Sequence, residues 1–295
     1  AQYVFSGGTA SSTIINRRGT QTVYGEGSVN DTTINSGGFQ YISSGGSATG
    51  TTINSGGIQE VYSNGTATST IILNGGIQYV SSGGTTTSTT INGIFGNQHV
   101  YSGGSTTNTT ISAGTQHVYG GGLATSTTIH DGTQKISGGV ANSTTINIDG
   151  TQLVDSGGTT TFTIISGGSQ LVSSGGSATG TRINSAGVQT VFTGGSATDT
   201  SINNAGVQLV SVGGIATSTA IYNAGKQIIS AGGLATSTTI SGGQQHILSG
   251  GSATSTIISA GGGYQEVNLG GSAIHTTLRG GSQFVRSGGS ATSTT

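Results

Sequence analysis

The sequence predicts an all-β fold, a right-handed β-helix (β-solenoid) with coils of about 19 residues. Three observations carry that expectation. One glutamine recurs at near-constant spacing through the whole chain, two apolar columns keep fixed distances from it, and glycine pairs separate the columns. Composition alone decides less. Gly, Ser and Thr supply just over half of the 295 residues, hydrophobic content is 31%, and 5% of residues are charged. Such a chain reads as disordered unless its few apolar residues are regularly placed.

The first element of each coil holds the Gln. It stands at positions 2, 21, 40, 59, 78, 98, 116, 134, 152, 170, 189, 208, 227, 245, 265 and 283, and Val or Ile follows two residues later every time. A period near 19 over the full length is a solenoid signature. The second element carries a small residue, usually Ala, as in Ala48, Ala67 and Ala124. The third holds an Ile five residues further on, from Ile15, Ile34 and Ile53 to Ile258, with Leu278 in the same column. Val, Ile, Thr and Tyr dominate these segments and helix formers are scarce, so all three are strands. Gly-Gly and Asn-Gly pairs supply the backbone conformations of the corners. No single coil can bury its own apolar residues. Stacking coils at roughly 4.8 Å sets each Val on the next Val and each Ile on the next Ile.

Alternation along a strand sorts the faces. Gln40 and Ile42 share a parity, which directs the amide inward into a stacked ladder. A Gln at a corner, where only its backbone counts, is the other arrangement the spacing allows. Thr49 and Thr51 share parity with Ile53, so the Thr-x-Thr motif faces inward unless a bulge intervenes. That orientation opposes an ice-binding solenoid, which needs an outward Thr array. The positions flanking each inward Val or Ile point outward and collect Tyr3, Phe5, Tyr24, Tyr41, Tyr62, Tyr79, Tyr101 and Tyr119, then Leu153, Leu171, Phe192, Leu209 and Ile228. A stripe of this kind is either a cross-strand ladder or an interaction surface. Tyr41, Tyr62, Tyr79, Tyr101 and Tyr119 are therefore the candidate self-association face.

Several function classes are disfavoured. Without Cys there is no disulfide and no thiolate metal site. Seven basic residues against eight acidic ones, without a basic cluster, give no nucleic-acid footprint. No apolar run approaches the ~18 residues of a spanning helix. His99 and His117 fall in one column about 5 Å apart, but no carboxylate joins them, and both are expected as solvated surface residues. A β-helical carbohydrate-active enzyme, a lyase or depolymerase, is the competing reading. It needs clustered acids or bases on one face, and the charged residues here are too few and too dispersed. The expectation is no enzyme, no metal and no cofactor.

The repeated unit, typified by Ser36-Gly37-Gly38-Phe39-Gln40-Tyr41-Ile42-Ser43-Ser44-Gly45-Gly46-Ser47-Ala48-Thr49-Gly50-Thr51-Thr52-Ile53-Asn54, resembles the AIDA-type repeat of self-associating autotransporter adhesins. The likeness covers essentially the whole chain. It implies a bacterial surface adhesin whose passenger is exported through an outer-membrane β-barrel made by the same chain. It also implies autoaggregation, biofilm formation and adhesion to or invasion of host cells, through a receptor the sequence does not identify. The partners implied are other copies on neighbouring cells and a cytoplasmic heptosyltransferase that modifies Ser before export. Residues 1–295 would be a single β-helical passenger fragment, lacking signal peptide, end caps and translocator barrel, because the sequence begins and ends inside a repeat.

An acceptor hydroxyl must be exposed, and Ser beside the Gly-Gly corners meets that need, since corners lie on the surface and Gly leaves room. The candidates are Ser36, Ser44, Ser47, Ser55, Ser82, Ser102, Ser105, Ser174, Ser177, Ser249, Ser252 and Ser290. Ser is favoured over Thr because the β-methyl crowds the approach. Turn hydrogen bonding alone would also place Ser there.

Overall fold

The computed structural model describes residues 1–295 and contains 45 short strands and no helix. The chain is a parallel β-solenoid with two compact units, Ala1–Thr144 and Thr145–Thr295, each built on the same coil. In the first unit a representative coil runs through Phe39–Ile42, Ser47–Thr49 and Thr52–Ile53. Each strand pairs in parallel with its equivalent one coil away, so Gln40 lies on Gln59, Ala48 on Ala67 and Ile53 on Ile72. The second unit repeats this, with Gln189 on Gln208, Ala197 on Ala216 and Ile202 on Ile221.

The core follows from the alternation. Ile42, Ala48 and Ile53 are buried while Tyr41, Ser47 and Thr52 face outward and are half-buried. Parallel strands carry their whole backbone ladder between coils, so only a thin apolar filling is needed inside.

The glutamine points inward. In the first unit each Gln side chain donates through Nε2 to Oε1 of the preceding coil's Gln at 2.6–2.7 Å, from Gln21 on Gln2 to Gln134 on Gln116. The second unit carries the same ladder from Gln170 on Gln152 to Gln283 on Gln265. A Thr just before the third strand adds a donor to the same oxygen, as Thr51 does for Gln40 at 3.3 Å. Every buried side-chain polar atom has a partner, which is what makes an amide tolerable in an apolar interior.

Three corners close each coil. At the first, Ser44 and Gly45 hold φ of +49° and +81° and Gly46 N–H donates to Ser43 C=O, a primed turn. The second glycine of such pairs has a separate cause: at Gly84 a Cβ would stand 2.1 Å from the Val61 carbonyl oxygen one coil below. The third corner corrects the expected Thr-x-Thr orientation. It is a single left-handed residue, Gly50 at +70°, Ser69 at +55° or Ser88 at +57°. That residue reverses the parity, so Thr49, Thr68 and Thr87 are exposed while Thr51, Thr70 and Thr89 are buried. Only the second Thr faces inward.

Candidate functional site

The residues singled out from the sequence occupy two surfaces, the corners and the outward face of the Gln strands. Among the twelve corner serines, Ser36, Ser44, Ser55, Ser82, Ser102, Ser174, Ser249 and Ser290 are exposed. Ser47, Ser105, Ser177 and Ser252 are half-buried, because each opens the second strand and packs in a ladder on its neighbours, as Ser177 does on Ser196. Ser44, Ser82 and Ser174 hold φ between +45° and +49°. There the turn lifts the hydroxymethyl clear of the strands on either side.

A further serine row escaped the sequence reading. The left-handed residue of the third corner is Ser12, Ser69, Ser88, Ser126, Ser143, Ser218, Ser237, Ser255 and Ser293 in nine coils, and all but Ser126 are exposed. No Gly pair flags this corner. Its signal is the mixture in one column of Ser with Asp31, Gly50, Asn108, Gly180 and Asp199, interrupted by Phe162 and His275. Gly, Asn and Asp are among the residue types that best tolerate the left-handed region.

The aromatic face is built by register. Tyr79 lies on His99 and His99 on His117, and the rings stack at 5.3 and 5.0 Å between centroids. Tyr101 and Tyr119 stack beside them at 4.8 Å, and the Tyr119 hydroxyl lies 3.2 Å from His99 Nδ1. Tyr41 stacks on Phe39, and Tyr62 is half-buried in the neighbouring outward column. The planes lie nearly parallel, so the rings cover one another and turn edges to solvent; Tyr101 is the one of the five that is exposed, at 38%. His99 and His117 are therefore not the freely solvated residues expected. Burial, with the neighbouring His117, pushes the His99 pKa down to about 4. Burial and Lys135 lower that of His117.

The second unit carries one cluster of ionisable groups on its outward face. Arg286 Nε donates to Glu266 Oε1 at 2.7 Å and His246 Nδ1 lies 3.0 Å from Oε2, which together hold the Glu266 carboxyl below its usual range. The register neighbours of Glu266 are His246 and Phe284. The carboxylate is held by Arg286 and His246, and its register neighbours include no second acid of the kind glycoside hydrolysis uses.

Comparison with known proteins agrees with this architecture. The family model described as the adhesin of the bacterial autotransporter system, probable stalk, matches residues 1–57 and 40–93. No curated protein sequence matches. Among solved structures, a TibC-catalysed hyper-glycosylated fragment of TibA is 41% identical over 99% of this chain and 100% of the fragment, with a TM-score of 0.80. An endo-xylogalacturonan hydrolase from Aspergillus tubingensis aligns over 97% of this chain and 87% of its own at 12% identity, and its TM-score of 0.17 carries no likeness of fold. With the repeat, the coil and a full-length match at that identity in agreement, the chain belongs to the AIDA-type autotransporter adhesins, as a run of passenger-domain β-solenoid.

Proposed function

We propose that the chain is a non-enzymatic adhesin passenger displayed on the bacterial surface, and an acceptor for O-linked heptose added to Ser in the cytoplasm before export. The carrying observation is the set of exposed serine rows at the corners, in a solenoid 41% identical to a TibA fragment that is itself hyper-glycosylated. The partner for modification is a heptosyltransferase of the TibC kind. Its acceptors are the exposed members of the Gly-Gly corner set, and the same criterion of exposure admits the third-corner row of Ser69, Ser88, Ser218 and Ser237. Sugars in rows answer a need of the composition. With 5% charge and a net charge of -1, the bare surface has little of the hydration that keeps a protein soluble.

In this reading the displayed solenoid joins copies on neighbouring cells, which yields autoaggregation and biofilm, and it presents the same surface to host cells for adhesion and invasion. The outward Tyr face of the first unit, Tyr41, Tyr62, Tyr79, Tyr101 and Tyr119, is one contact surface. Intact mass of the chain produced with and without a TibC-type transferase tests the modification. The expected result is a ladder of heptose additions only in the presence of the enzyme, and an unmodified mass in both preparations would reject it.

A further inference from the structure

The first corner loses its serines singly at Gly25, Gly120 and Leu269 and, in the second unit, over a run of consecutive coils. Along that corner of the second unit, Ser156 and Ser174 give way to Thr193, Val212 and Ala231 before Ser249 restores the hydroxyl. Val212 is 57% exposed at φ +46°, a region β-branched residues avoid. Three residues on, the outward position that is Ser in Ser177 and Ser196 becomes Ile215, 43% exposed, and its register partner is Leu234. Phe192 and Leu248 flank the ridge from the adjoining outward column. Backbone hydrogen bonds from Thr193 to Val212 and from Val212 to Ala231 fix these residues on consecutive coils. Folding does not call for this arrangement. Ser at 212 would strain the turn less, and Ser at 215 would expose less apolar surface.

We propose that this apolar ridge is the contact through which the chain pairs with a second copy of itself; the inference rests on the self-association reading above and gives it a location. Three features point to a copy as the occupant. None of Phe192, Val212, Ile215, Ala231, Leu234 and Leu248 carries a charge, so two identical ridges meet without like-charge repulsion. Ile215 and Leu234 repeat at the coil spacing, which a second solenoid matches by construction, so an isologous contact can mesh in register. The ridge also numbers six side chains, against the roughly 20–30 residues a side of a stable interface. Such a contact is weak for one pair and becomes effective where many copies on two cells engage together. If the corner serines carry sugar, the ridge is a bare stretch of their row.

The test uses the cysteine-free background. Val212→Ser, Ile215→Ser and Leu234→Ser restore residues that other coils carry at these positions, so the triple variant is expected to fold with unchanged or higher thermal stability. Displayed on cells, it should clump at least about tenfold less than the parent chain. Ile215→Cys alone should give disulfide-linked dimers under mild oxidation, whereas Thr68→Cys, on the equivalent strand of the first unit, should not. Clumping by the parent that the triple variant leaves intact, or equal cross-linking at both positions, overturns the ridge while sparing self-association. A parent chain that does not clump overturns both.

Discussion

Replacing one amide in the middle of the Gln ladder should cost far more than replacing its end. Gln189 is fully buried and takes part in four hydrogen bonds. It donates to Gln170 Oε1 at 2.7 Å and Thr181 Oγ1 at 3.2 Å, and accepts from Gln208 Nε2 at 2.7 Å and Thr200 Oγ1 at 3.3 Å. Gln189→Leu fits the volume but strips Gln208 and Thr200 of their acceptor. Each buried donor left unmade costs about 1–3 kcal/mol, and the added apolar burial offsets part of that, leaving about 2–4 kcal/mol net. Gln283, half-buried at the end of the same ladder, accepts only from the exposed Thr294, so Gln283→Leu should cost under about 1 kcal/mol. Guanidinium unfolding gives the magnitudes. Hydrogen exchange gives the place, because solenoid coils depend chiefly on their neighbours and the opening should centre on the coils of Gln170, Gln189 and Gln208. Equal losses at the two positions, or none at Gln189, would refute the ladder as a source of stability.

Three further outcomes follow from the same structure. The folded pKa of His99, near 4, lies below its unfolded 6.5, so the unfolded chain binds the extra proton: stability is full above pH 6.5 and falls as the pH drops towards 4. With His99 only half-buried the loss should be about 1–2 kcal/mol, and a pH series of melting temperatures in which His99→Phe shows the same decline as the parent would contradict it. Ile146→Asp puts a carboxylate in a fully buried column of the second unit and should cost about 3–5 kcal/mol. New protease cleavage near residue 146 is the readout, and unaltered resistance would speak against the column. Finally, Tyr41→Ser, Tyr79→Ser and Tyr119→Ser together should reduce cell clumping while the fold survives, at about 0.5–1.5 kcal/mol per lost ring pair; undiminished clumping would leave the face a strand-stabilising ladder only.

Much of this was legible because a solenoid writes its register into its period. Gln at every coil with Val or Ile two residues later located the first strand and the inner column without ambiguity, and the parity of Gln40 with Ile42 already pointed to the ladder. Parity failed at the third corner because one left-handed residue there reverses it, and Ser69 or Ser88 gives no warning of the kind a Gly pair does. A column mixing Ser with Asp, Asn and Gly was the available sign, and Phe162 and His275 in that column blur it. The aromatic face was placed correctly in columns, yet sequence does not say how rings in a column orient. Their stacking, visible only in three dimensions, is what half-buries Tyr79 and Tyr119 and draws His99 and His117 out of water.

The most direct test of the proposed role is a residue-level map of the sugars. The chain is co-expressed with a TibC-type transferase and its peptides are fragmented so that the glycosidic bonds survive. Heptose should lie on exposed corner serines such as Ser44, Ser82 and Ser174 and on third-corner serines such as Ser69 and Ser237, with buried Thr51, Thr70 and Thr89 bare. Modification concentrated on those buried threonines, or none on any corner serine, would contradict the assignment.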